Sequence, residues 1–324
     1  MSFKFKFCLL VLIWLTWWVK DWWQTQTLLN ETKIVFCDVG QGDAIFVAHK
    51  NMQLLIDGGP NSSVLACLQR EMPHSDHTIE TVILTHADAD HFSGLIGVFS
   101  NYEVGELIIN NAPKASPEYY DFYKAVWQQL KRGSLNVHTP QFGEQWCLSA
   151  QICVQILSNS ENILPVDIYQ NFVDFASFSA LLAKFVRPSY SYNDGSIVVK
   201  LQIDQFSILL TGDAEHLQEL ALIDGGLLTD VDILKMGHHG SKSSSSIEFL
   251  GLVKPEICIV SCGRNNSYGH PHRDALIRAG EYCTNLYRTD EMGWLKLVSK
   301  NDGIWYWETE RVAPTETEYW LGQT

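Results

Sequence analysis

The sequence predicts an α/β fold of the α+β kind, with two sheets packed face to face and helices outside. Three observations carry that expectation. Short apolar, β-rich runs recur in both halves of the chain, and helical spacings fall between them. Polar, glycine-flanked clusters sit repeatedly at the ends of those runs, which is how a scaffold gathers side chains from distant segments onto one rim.

The elements follow in order. Residues 34–37 form a β-rich run ending at the glycine-punctuated turn 38–43. Runs 44–48 and 53–57 read as the next strands, closed by Gly58-Gly59-Pro60. The spacing predicts a helix over 64–72, a short strand over 81–84 that delivers Thr85-His86, and a helix over 92–99. A strand at 107–110 and a long amphipathic helix over 119–132, stopped by Gly133, complete the first half. In the second half, 146–157 reads as strands and the less periodic stretch 158–195 as a loop insertion. Runs 197–203 and 206–210 form a hairpin ending at Thr211-Gly212-Asp213, and strands at 231–234 and 257–260 end at two further polar clusters. The tail 293–307 is β-rich, and no internal repeat is evident.

A chain of 324 residues accommodates one large domain or two small ones, and 46% hydrophobic residues supply a sizeable core. The net charge of −14 excludes a protein that grips nucleic acid through a broad basic face. A phosphodiester substrate would therefore need local cations, which bound metals can supply. The eight cysteines form no C-x-x-C pair and are expected as scattered buried thiols rather than a disulfide framework. At the N-terminus, Lys4 and Lys6 precede an apolar run at 7–19, with tryptophans at 14, 17, 18, 22 and 23 and no small-x-small cleavage site. Residues 1–30 are expected to be an uncleaved signal anchor that associates with the membrane through 7–19. Residues 31–324 then form one globular domain outside the cytoplasm; the alternative is an interfacial or buried helix in a cytoplasmic protein. No protein partner can be inferred.

The strongest chemical cluster is His86-x-Asp88-x-Asp90-His91, directly after an apolar strand. Imidazole and carboxylate suit zinc, manganese or iron. A tight turn can aim His86 and Asp88 at one ion and Asp90 and His91 at a second, about 3.5–4 Å away. The competing reading, a polar helix cap, needs one such residue rather than four. Asp213 is a candidate bridging carboxylate, against the reading of an ordinary turn aspartate. In Gly237-His238-His239-Gly240-Ser241 one histidine completes a metal shell, with His239 favoured, and the other donates a proton or holds a substrate oxygen. The serine run 241–246 is either a flexible loop or a phosphate-binding one. In 261–272, Arg264, Asn265, Tyr268 and His270 are candidate substrate contacts or acid–base groups. Asp57 is placed to orient a ligand from behind. Asp43 is expected in a turn-making role. The expected sets are thus metal ligands His86, Asp88, Asp90, His91, Asp213 and His239; catalytic groups Asp90, His238 and His270; and substrate contacts Asn193, Ser241, Asn265 and Tyr268.

Together these motifs resemble the metallo-β-lactamase superfamily, and within it the C-terminal hydrolase domain of the ComEC competence-channel family. The matching pieces are DVGQGDA (38–44), IDGG (56–59), THADADH (85–91), NDGSIVV (193–199), TGD (211–213), GHHGS (237–241) and SCGRNNSYGHP (261–271), in the family's order across roughly residues 34–275. The resemblance implies an αββα sandwich of two mixed sheets with two divalent metal ions on its rim. Asp88 stands where the superfamily usually has histidine, as in the ComEC-like branch, and this harder ligand tilts the expected metal from zinc towards manganese. The superfamily's third-motif histidine has no counterpart; Asn193 and Ser196 lie in its place. The implied activity is that of a phosphodiesterase or nuclease attacking with a hydroxide that bridges the ions, on a phosphodiester such as single-stranded DNA. The alternatives are a hydrolase of lactones, thioesters or choline phosphate esters, and a catalytically inert, metal-stabilised binding module.

Overall fold

The computed structural model of the chain describes residues 3–110, 114, 116–158, 174–177, 179–180, 193–299 and 304–311. Two mixed sheets form its centre. The first contains β1 (Thr32–Phe36), β2 (Ile45–His49), β3 (Met52–Ile56), β4 (Thr78–Leu84), β5 (Glu103–Ile109), β6 (Asn136–His138), β14 (Leu295–Ser299) and β15 (Trp305–Thr309). Their spatial order is β15-β14-β1-β2-β3-β4-β5-β6. The second contains β7 (Gln145–Cys147), β8 (Ile152–Ile156), β9 (Val199–Ile203), β10 (Phe206–Leu210), β11 (Ile233–Lys235), β12 (Ile257–Val260) and β13 (Asn285–Arg288), ordered β13-β12-β11-β10-β9-β8-β7. The expected β-rich tail crosses back to the first sheet, where β14 pairs antiparallel with β1.

The continuous apolar runs follow from burial on both faces. In β1, Ile34 and Phe36 enter the core between the sheets, while Val35 and the following Cys37 point into the core under the helices. The between-sheet core is rich in isoleucine and valine from both sheets, among them Ile56, Ile83, Val199, Leu201 and Ile259. Outside the first sheet lie α2 (Ser63–Glu71), α3 (Ala89–Asn101) and α4 (Pro117–Arg132). Ser116 caps α4 by accepting from Tyr119 N, and Gly133 ends it in the left-handed conformation. Outside the second sheet lie α5 (His216–Asp224), α6 (Ile247–Val253) and α7 (Arg273–Tyr282); a short α8 (Thr289–Met292) follows β13. The sandwich therefore has the expected αββα layering. Helices α5 to α7 lie outside the elements expected from periodicity: α5 has a weak apolar stripe and α6 spans only 7 residues, whereas α7 carries a readable stripe that the expectation omitted.

The N-terminal run belongs to one helix, α1 (Phe3–Leu29), whose apolar side chains from Leu9 to Trp23 are largely exposed. No helix among the described residues is long and apolar enough to cross a membrane. The expected loop insertion at 158–195 falls mostly outside the described residues.

The cysteine expectation needs correction. Cys37–Cys67, Cys147–Cys153 and Cys258–Cys283 form disulfides, and Cys262 is a buried free thiol. The sequence hides these pairs because pairing depends on register and packing: Cys147 and Cys153 are direct cross-strand partners in β7 and β8, and Cys37 at the end of β1 meets Cys67 on α2.

Candidate metal centre

The polar clusters converge on one rim. β4 ends at Leu84, so Thr85 and His86 emerge at the edge, and α3 begins at Ala89. Asp88 occupies the N-cap position of α3, but its side chain makes no capping bond; its carboxylate turns to His86 Nε2 (3.6 Å) and Lys114. The helix-cap reading therefore fails for Asp88. Close backbone approach explains the glycines. A Cβ on Gly42 would lie 2.1 Å from the Asp90 carbonyl oxygen, and one on Gly94 would lie 1.9 Å from that of Gly58.

Asp213 stands at the centre. It is buried, and four imidazole Nε2 atoms approach its carboxylate: His91 at 3.2 Å, His239 at 3.5 Å, His238 at 3.7 Å and His86 at 3.8 Å. Each ring has its Nδ1 engaged on the far side. His91 Nδ1 meets Asp57 Oδ2 at 2.7 Å, His239 Nδ1 meets the Ser261 carbonyl at 2.8 Å, His238 Nδ1 meets Glu215 Oε1 at 2.7 Å, and His86 Nδ1 meets Thr85 Oγ1 at 3.0 Å. Carboxylate and carbonyl oxygens only accept, so the protein acceptors fix the proton of His91, His239 and His238 on Nδ1 and turn the Nε2 lone pair inward. Asp57 itself is held by Thr85 N and Oγ1 at 2.8 and 2.7 Å. The orienting role expected of Asp57 matches this arrangement.

This donor set fits divalent metal ions. Asp90, His91, Asp213 and His239 present ligand atoms all within 4.8 Å of one another. His86 Nε2, His91 Nε2, His239 Nε2 and Asp213 Oδ1 are buried and make no hydrogen bond. Four inward-facing orphaned donors are costly in a protein interior unless a cation satisfies them.

Without a metal ion, protons take the place of the cation, and metal binding would displace them. Burial alone would raise the Asp213 carboxyl, but His239, His91 and His86 hold it well below the usual carboxylate range. Burial opposes charge on His91, and Asp213 and Asp57 outweigh it and push its pKa well up. Such a negative pocket attracts any small cation. Beneath it lies Lys235, fully buried at the end of β11, paired with Asp43 and donating to the Gly212 carbonyl at 2.9 Å. Asp43 thus does more than shape its turn. Burial would lower the Lys235 pKa, but Asp43 and Asp213 keep it raised.

The remaining expected residues divide. Tyr268 and His270 line a pocket of about 250 Å³ together with Asp88, Asp90 and Asp213. Tyr268 is 70% exposed and its ring stacks towards His270. Burial and the neighbouring His238 and His239 push the His270 pKa down to about 4. Asn193 contacts His238 Nδ1 at 3.4 Å. Asn265 is exposed and lies outside that pocket lining. Ser241 is buried, its hydroxyl engaged with Ser243 at 2.9 Å. The serine run is not a free loop: Arg278 donates to the Ser245 and Ser244 carbonyls, and Glu219 accepts from Ser246 N. Sequence reasoning missed Glu215, Lys235, Lys114 and Thr85. Only Lys235 left a signal, as a cation closing an apolar strand.

With this geometry in view, comparison with known proteins is informative. Residues 37–264 match the family model of the metallo-beta-lactamase superfamily, and the chain belongs to that superfamily. It resembles ComE operon protein 3 of Bacillus subtilis (strain 168), at 27% identity over 292 residues, covering 85% of this chain and 34% of the relative. It also resembles Recombination protein 2 of Haemophilus influenzae, at 28% identity over 286 residues, covering 86% of this chain and 29% of the relative. The chain thus spans about a third of the length of these relatives. Among solved structures, the metallo-beta-lactamase fold protein YhfI from Bacillus subtilis aligns with a TM-score of 0.49 at 11% identity, over 82% of this chain and 99% of that one.

Proposed function

We propose that this chain is a metal-dependent phosphodiesterase or nuclease. The observation that carries the reading is the ring of lone-pair-bearing Nε2 atoms around the buried Asp213 carboxylate. In this reading Asp90, His91 and His239 would hold one divalent ion, His86 and Asp88 would contribute to a second, and Asp213 would serve both. Manganese or zinc at such a site supplies a water acidic enough to ionise near neutral pH and positive charge for the phosphoryl oxygens. The chain's own residues do the rest. Asp57 and Thr85 keep His91 in its ligating tautomer. Lys235 keeps Asp43 and the Gly212 carbonyl in place beneath Asp213. His270, neutral at pH 7 by its lowered pKa, offers a hydrogen bond to a substrate oxygen at the pocket mouth. Tyr268 presents an exposed aromatic face beside it.

The relatives are named for recombination and the ComE operon, which favours a nucleic-acid strand as substrate. The acidic chain and small pocket favour a single-strand end over a long duplex. The three disulfides support a domain outside the cytoplasm, and the exposed tryptophan-rich helix α1 supports membrane association.

The test is substrate profiling of the metal-loaded chain on end-labelled single-stranded DNA, the matching duplex, a lactone, a thioester and a choline phosphate ester. Cleavage of the single strand above all others is expected. Turnover confined to lactone, thioester or choline ester would replace the phosphodiesterase reading, and inertness on all would favour a binding module.

A further inference from the structure

The pattern implied by the superfamily leaves one ion short of a ligand, because no histidine occurs at 193–196. We infer that His238 fills this place as a metal ligand and that Glu215 is the residue that positions it. The inference rests on the two-ion reading above.

The segment that lacks the histidine supports other side chains. Ser196 Oγ accepts from Asp213 N at 3.2 Å, and Asn193 Nδ2 lies 3.4 Å from the outer nitrogen of His238. Ser196 thus holds the Asp213 backbone from behind, and Asn193 flanks the His238 ring. His238, by contrast, is built like the other ligands. Its Nδ1 is taken by Glu215 Oε1 at 2.7 Å, so a neutral ring keeps its lone pair on Nε2. Glu215 is itself fixed by Ser243 Oγ, which donates to the same oxygen at 2.9 Å. The Nε2 atom ends 3.7 Å from Asp213 Oδ2.

Asp213 Oδ2 is shared by three rings, and neighbouring carboxylates separate two of them: His239 Nε2 lies 3.3 Å from Asp90 Oδ2. His86 Nε2 is 3.8 Å from Asp213 Oδ2 and 3.6 Å from Asp88 Oδ2. His238 joins the same Asp213 oxygen. Metal bonds of about 2.0–2.2 Å in a tetrahedron separate neighbouring ligand atoms by about 3.3–3.6 Å; His86 and His238 each stand close to that distance from Asp213 Oδ2, and a shared ion would have to draw the two rings together. Asp90, His91 and His239 form a set of their own, with Asp213 again.

Backbone strain points the same way. His238 and His239 both adopt left-handed conformations, at φ 45° and 55°. Such a conformation is unfavourable in a residue with a side chain, and persists where the surroundings dictate it. Successive side chains of an extended strand would face opposite ways. Here both Nε2 atoms reach within 3.7 Å of one carboxylate oxygen. The competing assignment of His238 as a proton donor requires no such fixed inward lone pair.

The experiment loads the chelated full-length chain with Co²⁺ or Mn²⁺ and counts bound ions by mass spectrometry of the metal, with affinities by calorimetry. The expected result is two ions in the parent chain, with one lost or strongly weakened in His238→Ala. Glu215→Ala should weaken that same ion about 10–100-fold and Glu215→Gln less, while the other ion keeps its affinity. Asp90→Ala should affect the opposite ion. Should His238→Ala fail to fold by circular dichroism, the two Glu215 variants decide. Two ions bound with unchanged affinities in the folded His238 and Glu215 variants would overturn the inference and return His238 to proton handling. Fewer than two ions in the parent chain would instead overturn the two-ion reading on which it rests.

Discussion

Asp88 and Lys235 place opposite demands on the same rim. Burial disfavours the charge of Asp88, yet contact with His86 and then Lys114 holds its pKa down at about 2. A carboxylate depressed below its unfolded value near pH 4 stabilises the fold above that pH and loses the contribution as pH falls through the folded value. Metal-free protein should therefore lose stability between about pH 4 and pH 2, and Asp88→Asn should flatten that dependence in urea denaturation. Lys235 is the buried partner of Asp43. Lys235→Met should cost about 3–5 kcal/mol, because the Asp43 carboxylate would stay buried without its cation; denaturant titration reads the loss directly. His86, Asp88, Asp90 and His91 were legible in the sequence because four ligand-type side chains fall within six residues after a strand. Glu215 was not, since its bond to His238 joins the start of α5 to the turn after β11, and no local pattern encodes that meeting.

At the scale of elements, the central strands were legible because each is a short apolar run buried on both faces, as in Phe206–Leu210. Two helices over the second sheet were not, because α5 carries a weak stripe and α6 is barely two turns. Glycine placement set another limit. The sequence marks Gly42 and Gly94 as turn or helix residues, but not that each approaches a backbone carbonyl far along the chain. Gly94→Val should destabilise the chain by about 3 kcal/mol, the upper end for overpacking, since a clash with backbone cannot relax by a side-chain rotation. Thermal melting of the purified variant tests this. The disulfide joining β1 to α2 closes a separation of 30 residues. Its removal in a Cys37→Ser/Cys67→Ser chain should cost about 3–4 kcal/mol on a chain-entropy account, measured by denaturation against the parent. An unchanged midpoint would show that the bond contributes nothing to stability.

The whole molecule combines a net charge of −14 with a local concentration of imidazole and carboxylate at one rim. Long-range attraction for a polyanion is therefore absent, and bound cations would supply it only at the pocket. Metal binding should also be visible as stability. An ion that binds the folded chain alone adds about 4 kcal/mol at a thousand times its Kd, so adding Mn²⁺ or Zn²⁺ should raise the melting temperature and chelation should reverse it. The central claim, that Asp213 organises a metal site for phosphodiester hydrolysis, is tested most directly by bis(p-nitrophenyl) phosphate turnover. The chelated chain is assayed before and after re-addition of Mn²⁺ or Zn²⁺, beside Asp213→Ala. Activity should be lost on chelation, restored by metal and absent from Asp213→Ala. Turnover that survives chelation, or that Asp213→Ala retains, would contradict it.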